Sequence, residues 1–308
     1  MTHPAKPKLI VICGPTGIGK TRFAIELAQR FNGEIIGADS MQIYEALTIG
    51  TAKPTAAERA QVAHHMVDCV PPDQNFSAAD YGHCARAVVA EMLSGGKHPF
   101  VVGGTGLYIK ALLHGLTEAA PSDKTIRSDL RRKAEDIGLP ALYKQLEQVD
   151  PQSAERIHPN DGFRILRALE VHTLTGRAMS AVQRDHGFQS SPYESLKFGL
   201  RCERSTLYAR IDTRVEAMLV EGFLEEVRRL RDSGLDPQCK AMQALGYRHL
   251  NAFLDGAIGW TEAVRTLKRD HRRYAKRQLT WFNADREVTW VDPKAVQAAA
   301  HMVSAFLE

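Results

Sequence analysis

The sequence predicts an α/β protein built on a doubly wound parallel sheet core with a mostly helical inserted domain. Short, continuous apolar runs such as Leu9 to Cys13 and Phe100 to Val102 are typical of parallel strands covered on both faces. Each run leads into a glycine-rich turn and then a helical pattern. Runs of β-branched residues then almost disappear over a central stretch of the chain. We therefore predict core segments at 1–120 and 196–308, separated by a helical insertion at 121–195.

The first element is the strand Leu9 to Cys13, which runs into the glycine-rich segment Gly14 to Thr21. A helical pattern follows, with Phe23, Leu27 and Phe31 near helical spacing, and the chain then turns at an Asn-Gly pair. Glu34 to Ala38 is a second short strand that ends at Asp39. This segment is a strand, loop, helix and strand unit.

The remaining elements follow from the same signals. Ser77 with Asp80 three residues later predicts a helix start, and that helix runs to about Leu93. Further strands are predicted at 100–102, 196–202 and 288–291. Further helices are predicted at 107–113, 127–132, 141–146, 163–175, 207–233 and 261–283.

Composition restricts the class of protein. The 308 residues allow one large domain or a core plus a smaller domain, and 44% hydrophobic with 25% charged residues is ordinary for a soluble globular chain. We find no apolar run of about 18–20 residues that could span a membrane and no signal-peptide layout, so we expect no membrane association and a cytoplasmic location. We also expect a monomer. The five cysteines are widely spaced, which favours reduced thiols over disulfides or zinc. The net charge of +4 permits an anionic partner.

The segment Gly14 to Thr21 satisfies the phosphate-loop pattern G-x-x-x-x-G-K-[ST] between a strand and a helix. Its glycines let successive N–H groups point at phosphate oxygens, Lys20 reaches the terminal phosphate, and the Thr21 hydroxyl can ligate Mg²⁺. Most such loops hold ATP or GTP, yet this loop would serve any diphosphate equally well. The reaction must be inferred from other residues.

Two polar segments are predicted at the same sheet edge. Asp39 opens D-S-M-Q at the end of the second strand, where ligands bind in open parallel sheets. It could bind a metal or a hydroxyl, take a proton, or simply cap the following segment, and its position does not decide between these roles. Ser40 and Gln42 offer further polar groups. The turn G-G-T-G-L-Y at 103–108 places Thr105 where it could donate to a substrate oxygen.

Basic residues cluster in three places. Arg164 and Arg167, and likewise Arg210 and Arg214, lie about one helical turn apart and share a face. The stretch 265–277 contains seven lysines and arginines together with a tyrosine, and a tryptophan follows. Such runs are usually solvated helix faces, but the interleaved aromatic residues favour a nucleic-acid surface.

Seven sequence blocks occur in an order typical of one family. They are G-P-T-G-I-G-K-T, D-S-M-Q-I-Y, I-G-T-A-K-P, H-H-M-V-D, G-G-T-G-L-Y, H-P-N-D-G-F-R-I-L-R-A-L-E-V and Q-A-L-G-Y-R. Together they resemble the bacterial tRNA dimethylallyltransferases, also called tRNA isopentenyltransferases, over nearly the whole chain. The resemblance implies a phosphate-loop core, bound Mg²⁺, and transfer of dimethylallyl from dimethylallyl diphosphate to N6 of adenosine 37, in the anticodon arm of tRNA.

The resemblance also implies roles for individual residues. Asp39 would be the general base, Thr16 would orient the reacting groups, and Arg214 would neutralise the leaving group. Diphosphate would be held by Gly14, Pro15, Thr16, Gly17, Ile18, Gly19, Lys20, Thr21 and Arg210, with Thr21 also on the metal. The residues matching tRNA-contacting segments are Asp39, Ser40, Met41, Gln42, Thr105, Arg127, Phe163, Arg164, Ile165, Leu166, Arg167, Gln243, Ala244, Leu245, Gly246, Tyr247, Arg248, Lys276, Arg277 and Trp281. Gly17 and Ile18 replace the Ala-Ser pair that is common in the family, at positions that contribute backbone groups to the phosphate loop.

Two other functions share the phosphate loop. A nucleotide or small-metabolite kinase would transfer a phosphoryl group and would need an arginine lid, which the segment 127–132 could supply. A non-catalytic RNA-binding module would use a nucleotide as a switch.

Overall fold

Six strands form one parallel sheet in the computed structural model, which describes residues 6–115, 123–186 and 191–308. The strands are β1 (Lys8–Cys13), β2 (Gly33–Gly37), β3 (His64–His65), β4 (His98–Gly103), β5 (Glu194–Leu200) and β6 (Val288–Val291). Their order across the sheet is β3-β2-β4-β1-β5-β6, which confirms the predicted parallel α/β class.

The described residues fall into two units, one within Met1–Leu113 and Pro192–Glu308 and the other within His114–Ser191. The first unit contains the sheet, and its helices are α1 (Lys20–Arg30), α2 (Ala56–Gln61), α3 (Ala78–Ser94), α4 (Gly106–His114), α10 (Arg204–Val220), α11 (Phe223–Asp232), α12 (Tyr247–Leu254), α13 (Trp260–Asn283) and α14 (Val296–Leu307). The second unit contains α5 (Lys124–Asp136), α6 (Leu139–Val149), α7 (Pro151–Arg156), α8 (Gly162–Thr175) and α9 (Met179–His186). Among the described residues, no helix has the length and apolar character needed to cross a membrane.

Apolar side chains of β1 point alternately into two cores. Leu9 and Val11 lie in one cluster of buried residues, and Ile10 and Ile12 lie in another. This strand is therefore covered on both faces, as its continuous apolar run predicts. The second unit has a cluster of its own around Leu142, Leu146 and Ile165.

The single helix predicted over 207–233 is wrong. The structure has two helices there, α10 and α11, and Gly222 lies between them with φ +99°. An L-amino acid side chain is strained in this left-handed conformation, so glycine allows the chain to turn between helices whose apolar faces would both satisfy a longer helical pattern.

Strand order determines which loops meet. β4 pairs with both β1 and β2, so the G-G-T-G turn after β4 lies between the phosphate loop and the segment that begins at Asp39. Cys13 is in register with Gly103, and Gly37 with Val102, so all three loops leave the carboxyl edge together. The sequence predicts this shared edge but not the intervening strand.

Candidate active site

The phosphate loop leaves β1 and wraps around the N-terminus of α1. Gly14 has φ +144°, and a Cβ there would lie 2.9 Å from the Leu200 carbonyl oxygen, so only glycine fits. The Lys20 ammonium donates hydrogen bonds to the carbonyl oxygens of Gly14 at 3.1 Å and Pro15 at 2.9 Å. Burial lowers the pKa of Lys20 from 10.5 to about 8, an effect that nearby Asp39 partly offsets.

Helix α10 supplies an arginine to this loop. Ile211 packs against Gly17, and Arg214, one turn further on, places Nη1 3.4 Å from the Thr16 hydroxyl. Burial lowers the pKa of Arg214, and the negative charge of Asp39 partly offsets this. Arg210, predicted to assist, is exposed and does not line the cavity described below.

Gln278 of α13 joins two glycine loops. Its Oε1 accepts from the Thr16 N–H at 2.9 Å, and its Nε2 donates to the Gly104 carbonyl at 2.9 Å. The side chain is buried, and a Cβ on Gly104 would lie 2.1 Å from Nε2. This contact could not be predicted from the sequence, because nothing local links residues 262 positions apart.

Asp39 has both a capping contact and a place in the site. Its Oδ1 accepts from the backbone N–H groups of Met41 at 2.9 Å and Gln42 at 3.3 Å. A turn rather than a helix follows. The carboxylate also lines the cavity that contains Lys20. Among the described residues Oδ2 accepts no hydrogen bond, so one carboxylate oxygen remains for a substrate.

Thr105 ties the G-G-T-G turn to the segment after β2. Its hydroxyl oxygen accepts from the Ser40 N–H at 3.0 Å, and its own N–H donates to the Ala38 carbonyl at 3.1 Å. Neither Thr105 nor Ser40 lines the cavity. In the structure this threonine therefore orders the loop that carries Asp39.

One cavity of about 250 Å³ contains the polar groups of these loops. Its lining includes eight residues predicted as site residues from the sequence, which are Thr16, Gly17, Gly19, Lys20, Thr21, Asp39, Gln42 and Arg214. Gln278, Tyr274 and Thr51 also line it and were not predicted to do so. A second cavity of about 470 Å³ shares Ala52, Pro54 and Arg214 with the first. The arrangement can hold a phosphorylated group at the lysine and arginine while a carboxylate faces it.

The predicted RNA-contacting residues of the first unit divide by exposure. Gln243, Arg248, Lys276, Arg277 and Trp281 are exposed, whereas the residues Ala244, Gly246 and Tyr247 are buried and Leu245 is half-buried. Burial leaves those residues no more than backbone contacts with a nucleic acid. Most of the basic run pairs with carboxylates, as in Arg272 with Asp212 at 2.5 Å. Lys276 and Arg277 form no ion pair with any described residue.

In the second unit, Glu170 organises two predicted arginines. Its buried carboxylate accepts from Arg127 Nη2 at 2.9 Å and from Arg167 Nη1 at 2.9 Å. Arg164 pairs with Asp161, the residue that caps α8. Phe163 is 76% exposed, while Ile165 is fully buried and Leu166 half-buried. The first turn of α8 thus presents Phe163 and Arg164, and the Ile165 side chain belongs to the core.

The parallel sheet, the glycine-rich loop after β1 and this cavity place the chain in the phosphate-loop class of α/β proteins. The sequence model described as IPP transferase matches residues 42–285. A tRNA dimethylallyltransferase of Desulfosudis oleivorans is 50% identical over 99% of this chain and 97% of its own length, and one from Geobacter sulfurreducens is 49% identical over 94% and 93%. The chain therefore belongs to the IPP transferase family, whose relatives here are tRNA dimethylallyltransferases, and it is a transferase.

Solved structures agree with this assignment. A full-length tRNA isopentenylpyrophosphate transferase from Bacillus halodurans is 41% identical with a TM-score of 0.74, covering 98% of this chain and 97% of its own. A eukaryotic dimethylallyltransferase described as acting on tRNA is 27% identical with a TM-score of 0.81, covering 98% and 79%. The shared fold extends over nearly the whole chain.

Proposed function

We propose that the chain transfers a dimethylallyl group from dimethylallyl diphosphate to N6 of adenosine 37 in tRNA and releases diphosphate. The observation that carries this proposal is that Asp39 lines the same cavity as Lys20, Thr21 and Arg214. A proton acceptor and an anion cradle are the two halves that alkylation of an amine by a diphosphate ester requires. The names of the relatives support the substrates.

The reaction breaks the allylic C–O bond and forms a bond from that carbon to N6. The electron pair of the broken bond leaves with diphosphate, where Lys20, Arg214 and the loop N–H groups oppose the growing negative charge. Asp39 accepts the N6 proton, an effect typically on the order of 10²–10⁴ in rate. Thr16, in contact with Arg214, orients the cradle.

We also propose Mg²⁺ as the cofactor. The donor set suits this ion, because Mg²⁺ commonly takes one or two protein ligands, substrate phosphate oxygens and waters. Among the described residues, no group of three or more histidine, cysteine or acidic side chains could hold a metal alone. The Thr21 hydroxyl lines the cavity and would hold the ion. Bound there, Mg²⁺ would neutralise charge on the leaving diphosphate.

Exposed side chains of α13 would bind the RNA. Lys276 and Arg277 are cations with no ion pair to a described residue, and Trp281 is 45% exposed. Cations hold phosphates, an indole stacks on bases, and the target adenine must be drawn out of its stack to reach Asp39. We also propose that the protein acts as a monomer and that, with tRNA as its substrate, it works in the cytoplasm.

Incubation with labelled dimethylallyl diphosphate and unmodified tRNA tests the proposal. Label in the RNA is expected. ATP consumption without label in the RNA would instead indicate a kinase. Neither labelled RNA nor ATP consumption would indicate a nucleotide switch. The matched variant is Asp39→Asn, whose amide oxygen can still accept from Met41 and Gln42 but is a poor proton acceptor. It should bind diphosphate normally and lose transfer. Transfer at the wild-type rate would falsify the base assignment.

A further inference from the structure

A buried carboxylate fixes the loop that forms one wall of the cavity. Glu226 Oε2 accepts from the N–H groups of Thr48 at 3.2 Å and Ile49 at 2.7 Å. Its Oε1 accepts from the Gly50 N–H at 3.1 Å and from the Tyr247 hydroxyl at 2.6 Å. Glu226 is 3% exposed, and among the described residues it forms no ion pair. Four neutral donors therefore satisfy one buried charge, which ties its position closely to theirs.

The anchored segment, residues 48–52, continues directly into the site. The carbonyl oxygens of Thr51 and Ala52 accept from the Gln42 side-chain amide at 3.1 and 2.9 Å. Gln42, Thr51 and Ala52 line the cavity together with Asp39. The hydrogen-bonded path thus runs from Glu226 through the 48–52 segment to Gln42, whose N–H is capped by Asp39.

Close packing and backbone strain show how tightly this segment is held. A Cβ on Gly50 would lie 2.1 Å from the Phe223 ring and 2.7 Å from the Tyr247 ring. Two alanines lie in the left-handed region: Ala46, just before the segment, with φ +62°, and Ala52, its last residue, with φ +46°. Such conformations are unfavourable for alanine and persist only where surrounding contacts determine them. The Glu226 contacts hold the N–H groups of residues 48–50 between these two positions.

We propose that Glu226, held by Tyr247, is a positioning residue for the acceptor side of the reaction. It fixes the 48–52 segment so that Gln42 and Asp39 face the incoming adenine. This inference rests on the proposed function. It also gives the buried Tyr247 side chain a role, which is to hold Glu226 rather than to contact RNA. The phosphate loop is a different segment, and among the described residues Glu226 forms no hydrogen bond with it.

The informative variant is Glu226→Gln, which keeps the shape of the side chain. The amide has one acceptor oxygen, and its NH₂ group would face donors that need an acceptor. We expect kcat at saturating tRNA to fall on the order of 10- to 100-fold, since small misplacements of reacting groups have effects of this size. The KM for dimethylallyl diphosphate should stay within about twofold. Tyr247→Phe removes one donor and should give a smaller decrease of the same kind.

Asp150→Asn is a matched control. Asp150 is 1% exposed and accepts from the backbone N–H groups of Ser153 at 3.0 Å and Ser180 at 2.9 Å, but it lies in the other unit. Its variant should lose a comparable amount of thermal stability without lowering kcat. If Asp150→Asn lowers kcat as much as Glu226→Gln does, the loss reflects general destabilisation and the proposal is overturned.

Hydrogen exchange gives a readout independent of turnover. Peptides covering residues 45–54 should exchange faster in Glu226→Gln, while peptides covering 14–21 should not change. Unchanged exchange at 45–54, or faster exchange with wild-type kcat, overturns the positioning role. If the wild-type chain fails to label tRNA, the proposed function falls and this role falls with it, whereas the exchange data still report whether Glu226 anchors the segment.

Discussion

Gln278 should control the geometry of the phosphate loop, with which it forms a hydrogen bond through the backbone N–H of Thr16. Its amide bridges the Thr16 N–H and the Gly104 carbonyl, both at 2.9 Å, and it is 4% exposed. Gln278→Leu keeps a side chain of similar size and removes both hydrogen bonds. The variant would leave one donor and one acceptor without partners inside the protein.

The expected effect on stability follows from these two groups. A buried polar group that loses its partner costs about 1–3 kcal/mol, so the pair gives roughly 2–6 kcal/mol, with the lower half favoured because the cavity beside Thr16 can admit water. Gln278→Glu should behave differently. Its carboxylate can still accept from Thr16 but cannot donate to Gly104, and it adds negative charge beside the diphosphate site.

Calorimetry with inorganic diphosphate, thermal unfolding and transfer kinetics separate these effects. Gln278→Leu should lower both the stability and kcat, and Gln278→Glu should mainly raise the Kd for diphosphate and the KM for its ester. The control is Lys276→Ala, an exposed position two residues away on the same helix, which should weaken tRNA binding and leave diphosphate binding unchanged. Wild-type kcat and wild-type diphosphate affinity in Gln278→Leu would refute the proposed control of the phosphate loop by Gln278.

The remaining predictions concern three other residues. Because burial lowers the pKa of Lys20 to about 8, about half of the molecules carry a neutral Lys20 amine at pH 8. Bound diphosphate should favour the charged form, so binding at pH 8 should take up about half a proton per molecule. Calorimetry in several buffers measures this uptake, and Lys20→Met should abolish it. Burial raises the pKa of Glu170, but hydrogen bonds from Arg167 and Arg127 outweigh this effect and lower the pKa overall. The ionised carboxylate should therefore stabilise the fold fully above its unfolded pKa of about 4.3, and this stabilisation should vanish as the pH falls through the lower folded pKa. In Glu170→Gln, the free energy of unfolding of the second unit should depend less steeply on pH in this acid range. Gly246→Ala should destabilise the protein by at least about 1 kcal/mol in chemical unfolding, since Gly246 has φ +94° and a Cβ would lie 2.6 Å from a buried ring; equal stability would contradict this steric reasoning.

The sequence is most informative where function and structure depend on neighbouring residues. The phosphate loop is such a case, because the strand, the glycines, Lys20 and the following helix all lie within about twenty positions, and each has its own pattern. Asp39 could be placed at the carboxyl edge because it follows a buried strand directly. The helix start at Ser77 is likewise local, since its side chain accepts a hydrogen bond from the N–H of Asp80 three residues later.

Contacts between distant residues could not be predicted in this way. Glu226 reads as one more charge on an amphipathic helix, and Gln278 as a polar residue in a basic run. Their roles appear only when strand order brings the helices over the loops, because the hydrogen bonds span 176 to 178 and 262 positions. Gly222 is different, because a glycine is itself a local signal for the end of a helix, and the prediction missed it since the two flanking helices fit one apolar pattern.

These long-range contacts share a feature that matters for the chemistry. Gln278 and Glu226 orient the loops through backbone N–H and C=O groups, and among the described residues neither Lys20 nor Arg214 forms an ion pair. Three basic side chains, Lys20, Arg22 and Arg214, line the cavity with two carboxylates, Asp39 and Glu58, and burial lowers the pKa of Lys20 and of Arg214. An excess of positive charge in a partly dehydrated cavity is unfavourable until an anion enters it. A diphosphate leaving group would relieve that cost most when its negative charge is greatest, which is after the allylic bond has begun to break. Anchoring the loops by backbone groups therefore leaves the cations available for the transition state.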